Sequence, residues 1–217
     1  MEFIYSVVAF FQNGGLFMYP ILLVFAVGMA ISLERWVHLA RIRNGNRKAW
    51  SQLHPVLVEG DFDKAREMVG DDKTVIAQLL GMGLAQQGAV RRREDIEIAM
   101  EESMMEIIPQ LERRIPYVAL FSNIATLLGL LGTIMGLISA FTAVANANPA
   151  EKADLLSASI SVAMNTTAFG LIAAIPLLLI HAKLTSTTGQ IVDSLEMASI
   201  KTLNIISSAA KRQFEMS

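Results

Sequence analysis

The stretch at residues 118–145, VALFSNIATLLGLLGTIMGLISAFTAVA, decides the fold of this chain. It has no charged residue and exceeds the roughly 20 apolar residues with which an α-helix crosses a bilayer. Residues 16–33 and 155–180 are also free of charge. Three such runs in 217 residues would need a much larger soluble domain to cover them. The sequence therefore predicts an all-α membrane protein with three transmembrane helices.

The distribution of basic residues predicts the orientation of these helices. Of the 18 Lys and Arg residues, only Lys152 lies between the second and third apolar runs. Because Lys and Arg accumulate on the cytoplasmic side, we expect the N-terminus outside and the C-terminus inside. No basic segment precedes the first apolar run, so we expect no cleavable signal and a mature chain that starts at or near Met1.

The apolar runs divide the chain into seven segments. These are an interfacial amphipathic segment (1–15), transmembrane helix 1 (16–34), a cytoplasmic helical domain (35–114), transmembrane helix 2 (115–146), a periplasmic loop (147–154), transmembrane helix 3 (155–181) and a cytoplasmic C-terminal helix (182–217).

Glycine and proline indicate the finer structure of the cytoplasmic parts. We predict short helices at about 47–59, 62–69 and 73–87. A longer helix is expected to start near Arg91 and to run toward the second span, with kinks at Pro109 and Pro116. The third span should bend at Pro176 and continue as helix to Arg212. Such a rod, roughly 87 Å long, favours an oligomer of parallel helices.

Composition excludes several functions. The chain has no cysteine, and His38, His54 and His181 are too far apart in sequence for a metal-ligand motif. The net charge of −2 does not suggest nucleic-acid binding. The uncharged stretches 16–33, 118–145 and 155–180 contain no His, Cys or carboxylate side chain. Nothing therefore indicates an intramembrane enzyme. The Arg91–Arg93 cluster is followed by acidic residues, which is more typical of a solvated helix face than of a lipid or partner site.

Small and polar residues are concentrated in the second and third spans. Glycines at spacings of three to seven residues allow helix backbones to approach closely; they are Gly129, Gly132, Gly136 and, in the third span, Gly170. The candidate ion-pathway residues are Thr126, Thr133, Asn165, Thr166 and Thr167. Two interpretations stay open, hydrogen bonds that hold helices together or a wet pathway.

The absence of acidic residues from the spans limits the chemistry of such a pathway. If the chain conducts a cation, either a partner helix supplies a carboxylate or hydroxyl and amide oxygens act as ligands. Oxygen ligands suit a hard cation such as Na⁺.

Three stretches resemble the ExbB/TolQ/MotA family of ion-driven motor subunits. They are GGLFMYPILLVFAVGMAISLER at 14–35, RIPYVALFSNIATLLGLLGTIMGLISAF at 114–141, and TAFGLIAAIP at 167–176. Three spans match the ExbB/TolQ branch better than the four-span MotA branch.

The resemblance implies a homopentamer in the bacterial inner membrane, around two copies of an ExbD/TolR-like single-span protein with a transmembrane Asp. H⁺ or Na⁺ flow, driven by the proton or sodium motive force, would turn that dimer and energise an envelope process, such as protein transport in a TonB system with a TonB-like protein. Lipid surrounds the assembly and no cofactor is implied. A non-conducting helical scaffold that recruits cytoplasmic partners is the alternative.

The family's pore threonines match Thr133 and Thr167. One position departs from the family pattern, because Val162 stands where ExbB and TolQ have a glutamate. This departure, with the additional polar residues, favours Na⁺ over H⁺ by a small margin and makes Thr133 and Thr167 the candidate Na⁺ ligands.

Overall fold

The computed structural model describes residues 10–11, 14–87 and 93–215, with side chains to residue 209. In these ranges the chain is helical and contains no β-strand, which confirms the predicted all-α class. The helices are α1 (Met18–Glu59), α2 (Phe62–Asp71), α3 (Val75–Gln86), α4 (Arg93–Glu112), α5 (Ile115–Asn146) and α6 (Lys152–Glu215).

In the described ranges, three helical stretches are long and apolar enough to cross a membrane, and they lie in α1, in α4–α5 and in α6. The chain forms two compact units. Of the described residues, the first unit contains those up to Arg35 and 114–183, and the second contains those within 36–113 and from Leu184 onward. Both α1 and α6 contribute to each unit.

Small side chains form the centre of the first unit. Ala125 of α5 and Ala173 and Ala174 of α6 are at most 2% exposed, and Ile21 of α1 packs with them. Larger side chains surround this centre; they are Val24, Phe25, Leu128 and Phe169. Alanine at the centre lets the three helix backbones lie close together, as is usual between transmembrane helices.

The outer face of the first unit carries large apolar side chains. Leu130, Ile134 and Ile138 of α5 are 49–54% exposed, and Ile172 of α6 is 58% exposed. In water such a surface would be unfavourable by about 25 cal/mol for each Å² of apolar area, whereas lipid tails solvate it. The exposed side chains therefore fit a hydrocarbon surrounding.

A break separates α4 from α5. Arg114 adopts a left-handed conformation, with φ of 67°, and α5 begins at the next residue with Pro116 in its first turn. The helix predicted to start near Arg91 ends at Glu112, before it reaches Pro116, so the kink predicted at Pro116 is wrong. Proline is favourable in a first turn, where its missing N–H loses no helical hydrogen bond. Pro109 lies inside α4.

The short helices of the second unit agree with the sequence prediction within two residues at each end for α2 and α3. Asp61 caps α2 by accepting from the Lys64 N–H at 3.1 Å, and Thr74 caps α3 by accepting from the Ala77 N–H at 3.4 Å. The predicted separate helix at 47–59 is wrong, because α1 continues without interruption from Met18 to Glu59. A change from apolar to charged sequence ends the membrane segment but leaves the backbone hydrogen bonds of a helix intact.

The long C-terminal helix is confirmed. α6 has 64 residues, or roughly 96 Å at 1.5 Å per residue, and Pro176 lies inside it. The bend expected at Pro176 stays a prediction. The amphipathic segment expected at 1–15 falls mainly outside the described residues, as do Arg91 and Arg92. Arg93 donates a hydrogen bond to the Asn204 side chain at 3.1 Å.

The core between α3 and α4 provides a test of the second unit. Leu80 is fully buried, whereas Met82, two residues later, is 49% exposed. We expect Leu80→Ala to lower the free energy of local opening of α3 by about 3 kcal/mol, because a buried leucine leaves a cavity. Met82→Ala should change it by about 0.5 kcal/mol or less. Amide hydrogen exchange of residues 75–86 measures both, and equal effects would contradict the burial of Leu80.

Candidate ion-pathway site

Two threonine hydroxyls meet between α5 and α6. Thr133 and Thr167 are in hydrogen-bond contact through their Oγ1 atoms, and both are half-buried. Each also contacts the Gly129 carbonyl oxygen, at 3.2 Å from Thr133 and 3.0 Å from Thr167. We call these two side chains and this carbonyl the threonine cluster.

The threonine cluster has fewer protons than contacts. Each hydroxyl carries one proton, so two protons serve three contacts. One contact therefore lacks a proton in any single arrangement, so the hydroxyls can exchange acceptors, and their free lone pairs can accept from a further donor or ligate a cation. All the accessible ligand atoms are oxygens, which suit a proton donor or a hard cation.

Glycines allow α5 and α6 to approach closely enough to form this cluster. A Cβ atom on Gly170 would lie 2.8 Å from the Ala125 carbonyl oxygen and 3.0 Å from the Gly129 Cα atom. A Cβ on Gly136 would lie 2.7 Å from that of Ala163. A Cβ on Gly132 would press on the Thr166 side chain in the same way. The four glycines singled out in the sequence thus all lie on the contact between α5 and α6.

Thr166 has a different environment from its neighbour Thr167. It is 2% exposed, and its hydroxyl contacts the Gly14 carbonyl oxygen at 2.5 Å and the Val162 carbonyl oxygen at 3.0 Å. It thus holds the turn that precedes α1 against α6. Successive residues on a helix point about 100° apart, so Thr166 and Thr167 face different neighbours.

The remaining candidates lie outside the threonine cluster. Thr126 is exposed and donates to the Ser122 carbonyl oxygen of its own helix at 3.2 Å. Asn165 is half-buried, and none of the hydrogen bonds described for residues 14–87 and 93–209 joins it to the cluster. The structure therefore brings together two of the five polar residues selected from the sequence.

Sequence reasoning missed Ser122. Its hydroxyl is fully buried and donates to the Ala174 carbonyl oxygen of α6 at 2.8 Å. A signal for it exists, because small residues recur every three or four positions along one face of α5, and Ser122 begins that series. The series is Ser122, Ala125, Gly129, Gly132, Gly136 and Ala140. This spacing marks one face of a helix.

Val162 lies beside a cavity of about 290 Å³ in the first unit, which Gly15, Ser139 and Ser159 also line. A valine side chain cannot exchange a proton, so at this position the chain supplies no titratable group. No cluster of three or more His, Cys, Asp or Glu residues that could hold a metal ion occurs among the residues that the structure describes.

Comparison with known proteins assigns this sequence to a family. Residues 71–197, more than half of the chain, match the MotA/TolQ/ExbB proton channel family. This chain belongs to that family. The matched region contains all of α5 and the part of α6 that carries Thr167. Together with the three apolar helices, membership makes the chain a multi-pass inner-membrane protein of a channel family rather than of an enzyme family.

Individual relatives agree with the family assignment. The chain is 26% identical to an ExbB homolog, a biopolymer transport protein by its name, of Methanothermobacter thermautotrophicus, over 91% of this chain and 69% of that protein. It is 28% identical to an ExbB-like protein of Synechocystis over 84% of this chain and 72% of that protein. It is 35% identical to the Tol-Pal system protein TolQ of Haemophilus influenzae, over 40% of this chain and 37% of that protein.

The contact between glycine backbones can be tested within one helix. We expect Gly170→Ala to destabilise the chain by about 1–3 kcal/mol, because its methyl group would press on the backbone of α5. Gly189→Ala is the matched control, since a Cβ there meets no atom within 4 Å. Alanine has the higher helix propensity, so this control should stabilise the chain by up to about 1 kcal/mol. Thermal unfolding in detergent measures both, and a neutral Gly170→Ala would contradict the close contact.

Proposed function

We propose that this protein is the ion-conducting stator subunit of an inner-membrane motor of the ExbB–ExbD or TolQ–TolR type. It would couple H⁺ or Na⁺ flow to rotation of a partner dimer that energises transport or another process at the cell envelope. Family membership supports the ion-channel role. The observation that carries the proposal is the threonine cluster, two hydroxyls and a carbonyl with free acceptor lone pairs between the uncharged stretches of α5 and α6.

The chemistry of the cluster supports a partner with a carboxylate. The membrane stretches 16–33, 118–145 and 155–180 contain no Asp, Glu, His, Lys or Arg, so this chain supplies no carboxylate or imidazole there to bind and release a proton. A transmembrane Asp of an ExbD/TolR-like helix would provide that group. The hydroxyls of Thr133 and Thr167 would donate to its carboxylate or ligate the passing ion.

The proposed assembly is a pentamer of this chain around two copies of the partner helix. In it, the N-terminus lies outside and residues 35–114 and 182–217 lie in the cytoplasm, in agreement with the basic residues. The cluster residues Thr133 and Thr167 would face the centre of the ring. Thr126 and Asn165 would lie along the same route, whereas the contact of Thr166 with Gly14 supports a role in fixing the turn.

Replacement of the cluster hydroxyls tests conduction. We expect Thr133→Val and Thr167→Val each to lower partner-dependent ion flux by about tenfold or more, because valine keeps the shape but removes donor and acceptor. The control is Thr142→Val. Thr142 is on α5 like Thr133, is exposed, and donates only within its own helix, to the Ile138 carbonyl oxygen at 2.8 Å. Flux into vesicles containing this chain and its partner is the measurement.

Assembly of the same variants separates conduction from scaffolding. Pentamers of normal size and stability, with the flux lost, support the stator role. If both cluster variants fail to assemble while Thr142→Val assembles normally, the hydroxyls hold helices together, and the alternative of a non-conducting scaffold is favoured.

The transported ion can be decided with the same vesicles. The family is described as one of proton channels, which supports H⁺, and the all-oxygen cluster without a carboxylate supports Na⁺. At a fixed proton motive force, removal of Na⁺ should reduce motor activity at least about tenfold if hydroxyl oxygens select Na⁺. Undiminished activity without Na⁺ would identify H⁺ as the coupling ion.

A further inference from the structure

The cavity of about 290 Å³ in the first unit lies outside the threonine cluster, and the proposed conduction mechanism does not explain it. Three parts of the chain line it. They are Met135 and Ser139 of α5, Ser159 of α6 and the turn at residues 14–17 that precedes α1. We call it the Ser139 cavity.

The inner end of the Ser139 cavity lies within the membrane. Basic residues mark one end of each uncharged stretch of this unit: Arg35 after that of α1, Arg114 before that of α5 and Lys183 after that of α6. Gly132 and Thr166 line the cavity and lie about 27 Å from Arg114 and about 26 Å from Lys183 along their helices. A hydrocarbon core is about 30 Å thick, so this end of the cavity falls inside it.

The other end of the cavity opens at the level of lipid headgroups. Ser139 lies about 37 Å from Arg114, and Ser159 lies about 36 Å from Lys183, which is beyond a 30 Å hydrocarbon core. Ser139 is exposed and Ser159 is half-buried, so water can reach both hydroxyls. The cavity thus leads inward from the side of the membrane on which the loop between α5 and α6 lies.

The short length of α1 creates this opening. α1 begins at Met18, about 26 Å along the helix from Arg35, so it ends level with Thr166 and does not reach the two serines. The Gly14 carbonyl oxygen accepts from the Thr166 hydroxyl at 2.5 Å, which confirms the depth of the turn. The backbone of this turn therefore lies inside the hydrocarbon layer without being part of a helix.

The unbonded backbone of the turn indicates water in the cavity. Among the residues that the structure describes, no carbonyl accepts from the amides of Gly15, Leu16 and Phe17. Gly15 and Leu16 are also exposed, so protein does not cover this backbone. At membrane depth, non-helical backbone is tolerated only where protein buries it or where it lines a water-filled cavity. Burial is excluded by the exposure of the turn, and hydration of the cavity remains.

A close helix contact separates the Ser139 cavity from the threonine cluster. Gly136 lines the cavity, and a Cβ atom on it would lie 2.7 Å from that of Ala163. Thr166 lines the cavity, whereas the next residue, Thr167, belongs to the cluster. The inner end of the cavity and the cluster are therefore at the same depth, on different sides of the contact between α5 and α6.

We propose that the Ser139 cavity is a water-filled vestibule, which brings solution from the side of the α5–α6 loop to the depth of the threonine cluster within one chain. A water molecule takes about 30 Å³ in the liquid, so the cavity has room for several. The serine hydroxyls, the Thr166 hydroxyl and the turn backbone provide the polar partners that such waters need. The vestibule is the entry for H⁺ or Na⁺ on that side, a role that rests on the proposed function.

Cysteine labelling of the full chain and its partner in vesicles tests for water. The chain has no cysteine, so each variant carries one thiol. Met135 and Ile134 are neighbours of similar exposure, 43% and 49%, but Ile134 does not line the cavity. A charged methanethiosulfonate reacts with thiolate, which forms in water and not in hydrocarbon. We expect Met135→Cys to react at least about tenfold faster than Ile134→Cys. Asn148→Cys in the α5–α6 loop is the reference for full access.

A blocked mouth tests the route. Ser159→Phe places a large side chain in the opening and should slow labelling of Met135→Cys, and lower partner-dependent ion flux, by at least about fivefold each. Ser161→Phe is the matched control, since this serine is exposed on the same helix but does not line the cavity, and it should change neither. Should Ser159→Phe fail to fold, Ser139→Phe at an exposed side chain takes its place.

The outcomes separate the vestibule from the stator role. Equal labelling of Met135→Cys and Ile134→Cys would mean that hydrocarbon fills the cavity and would overturn the proposal, as would rapid labelling of Met135→Cys despite Ser159→Phe. Blocked labelling with normal flux in Ser159→Phe, while Thr133→Val has lost its flux, would overturn the entry role. Flux that survives Thr133→Val as well would contradict the proposed function instead, and labelling would still decide whether the cavity holds water.

Discussion

The close approach of α5 and α6 at Gly129 and Gly170 is the constraint on which the membrane unit depends. Where two backbones nearly touch, no side chain separates them, and the groups immediately beside the contact are forced together. Thr133 lies one turn from Gly129, and Thr167 lies three residues from Gly170. The meeting of their hydroxyls is thus a consequence of glycine packing as much as of the threonines themselves.

The same contact gives the threonine cluster a different hydrogen-bonding pattern from that of a pair that only joins two helices. Gly129 contributes a carbonyl that already belongs to the hydrogen-bond ladder of α5, and two threonine hydroxyls share it. Ser122 shows the contrasting case, since its single hydroxyl has a single acceptor in Ala174 and is fully buried. A hydroxyl with one acceptor holds two helices together. Two hydroxyls that share one carbonyl acceptor, as Thr133 and Thr167 do, are able to exchange hydrogen-bond partners.

Sequence reasoning predicted the features that follow from length and periodicity. Three uncharged stretches indicate three spans, and the long uninterrupted sequence after Pro176 indicates one continuous helix. It failed where a local backbone choice decides the structure. Nothing in the composition around Arg114 shows that this residue adopts a left-handed conformation and separates two helices. It also failed to separate Thr166 from Thr167, because which face of α6 meets α5 depends on packing that one sequence does not contain.

Because α6 is one continuous helix, the spacing of the residues that it buries is fixed. One helix, Lys152–Glu215, bears Thr167 in the first unit and the buried residues Leu184, Ile191 and Leu195 in the second. Insertion of one residue between Leu184 and Ile191 would rotate the helix after it by about 100° and turn Ile191 and Leu195 away from the face on which Leu184 is buried. A loop could absorb the extra residue without such a rotation. Within the second unit, the number of residues between the buried positions of α6 is therefore as much a part of the structure as their identity.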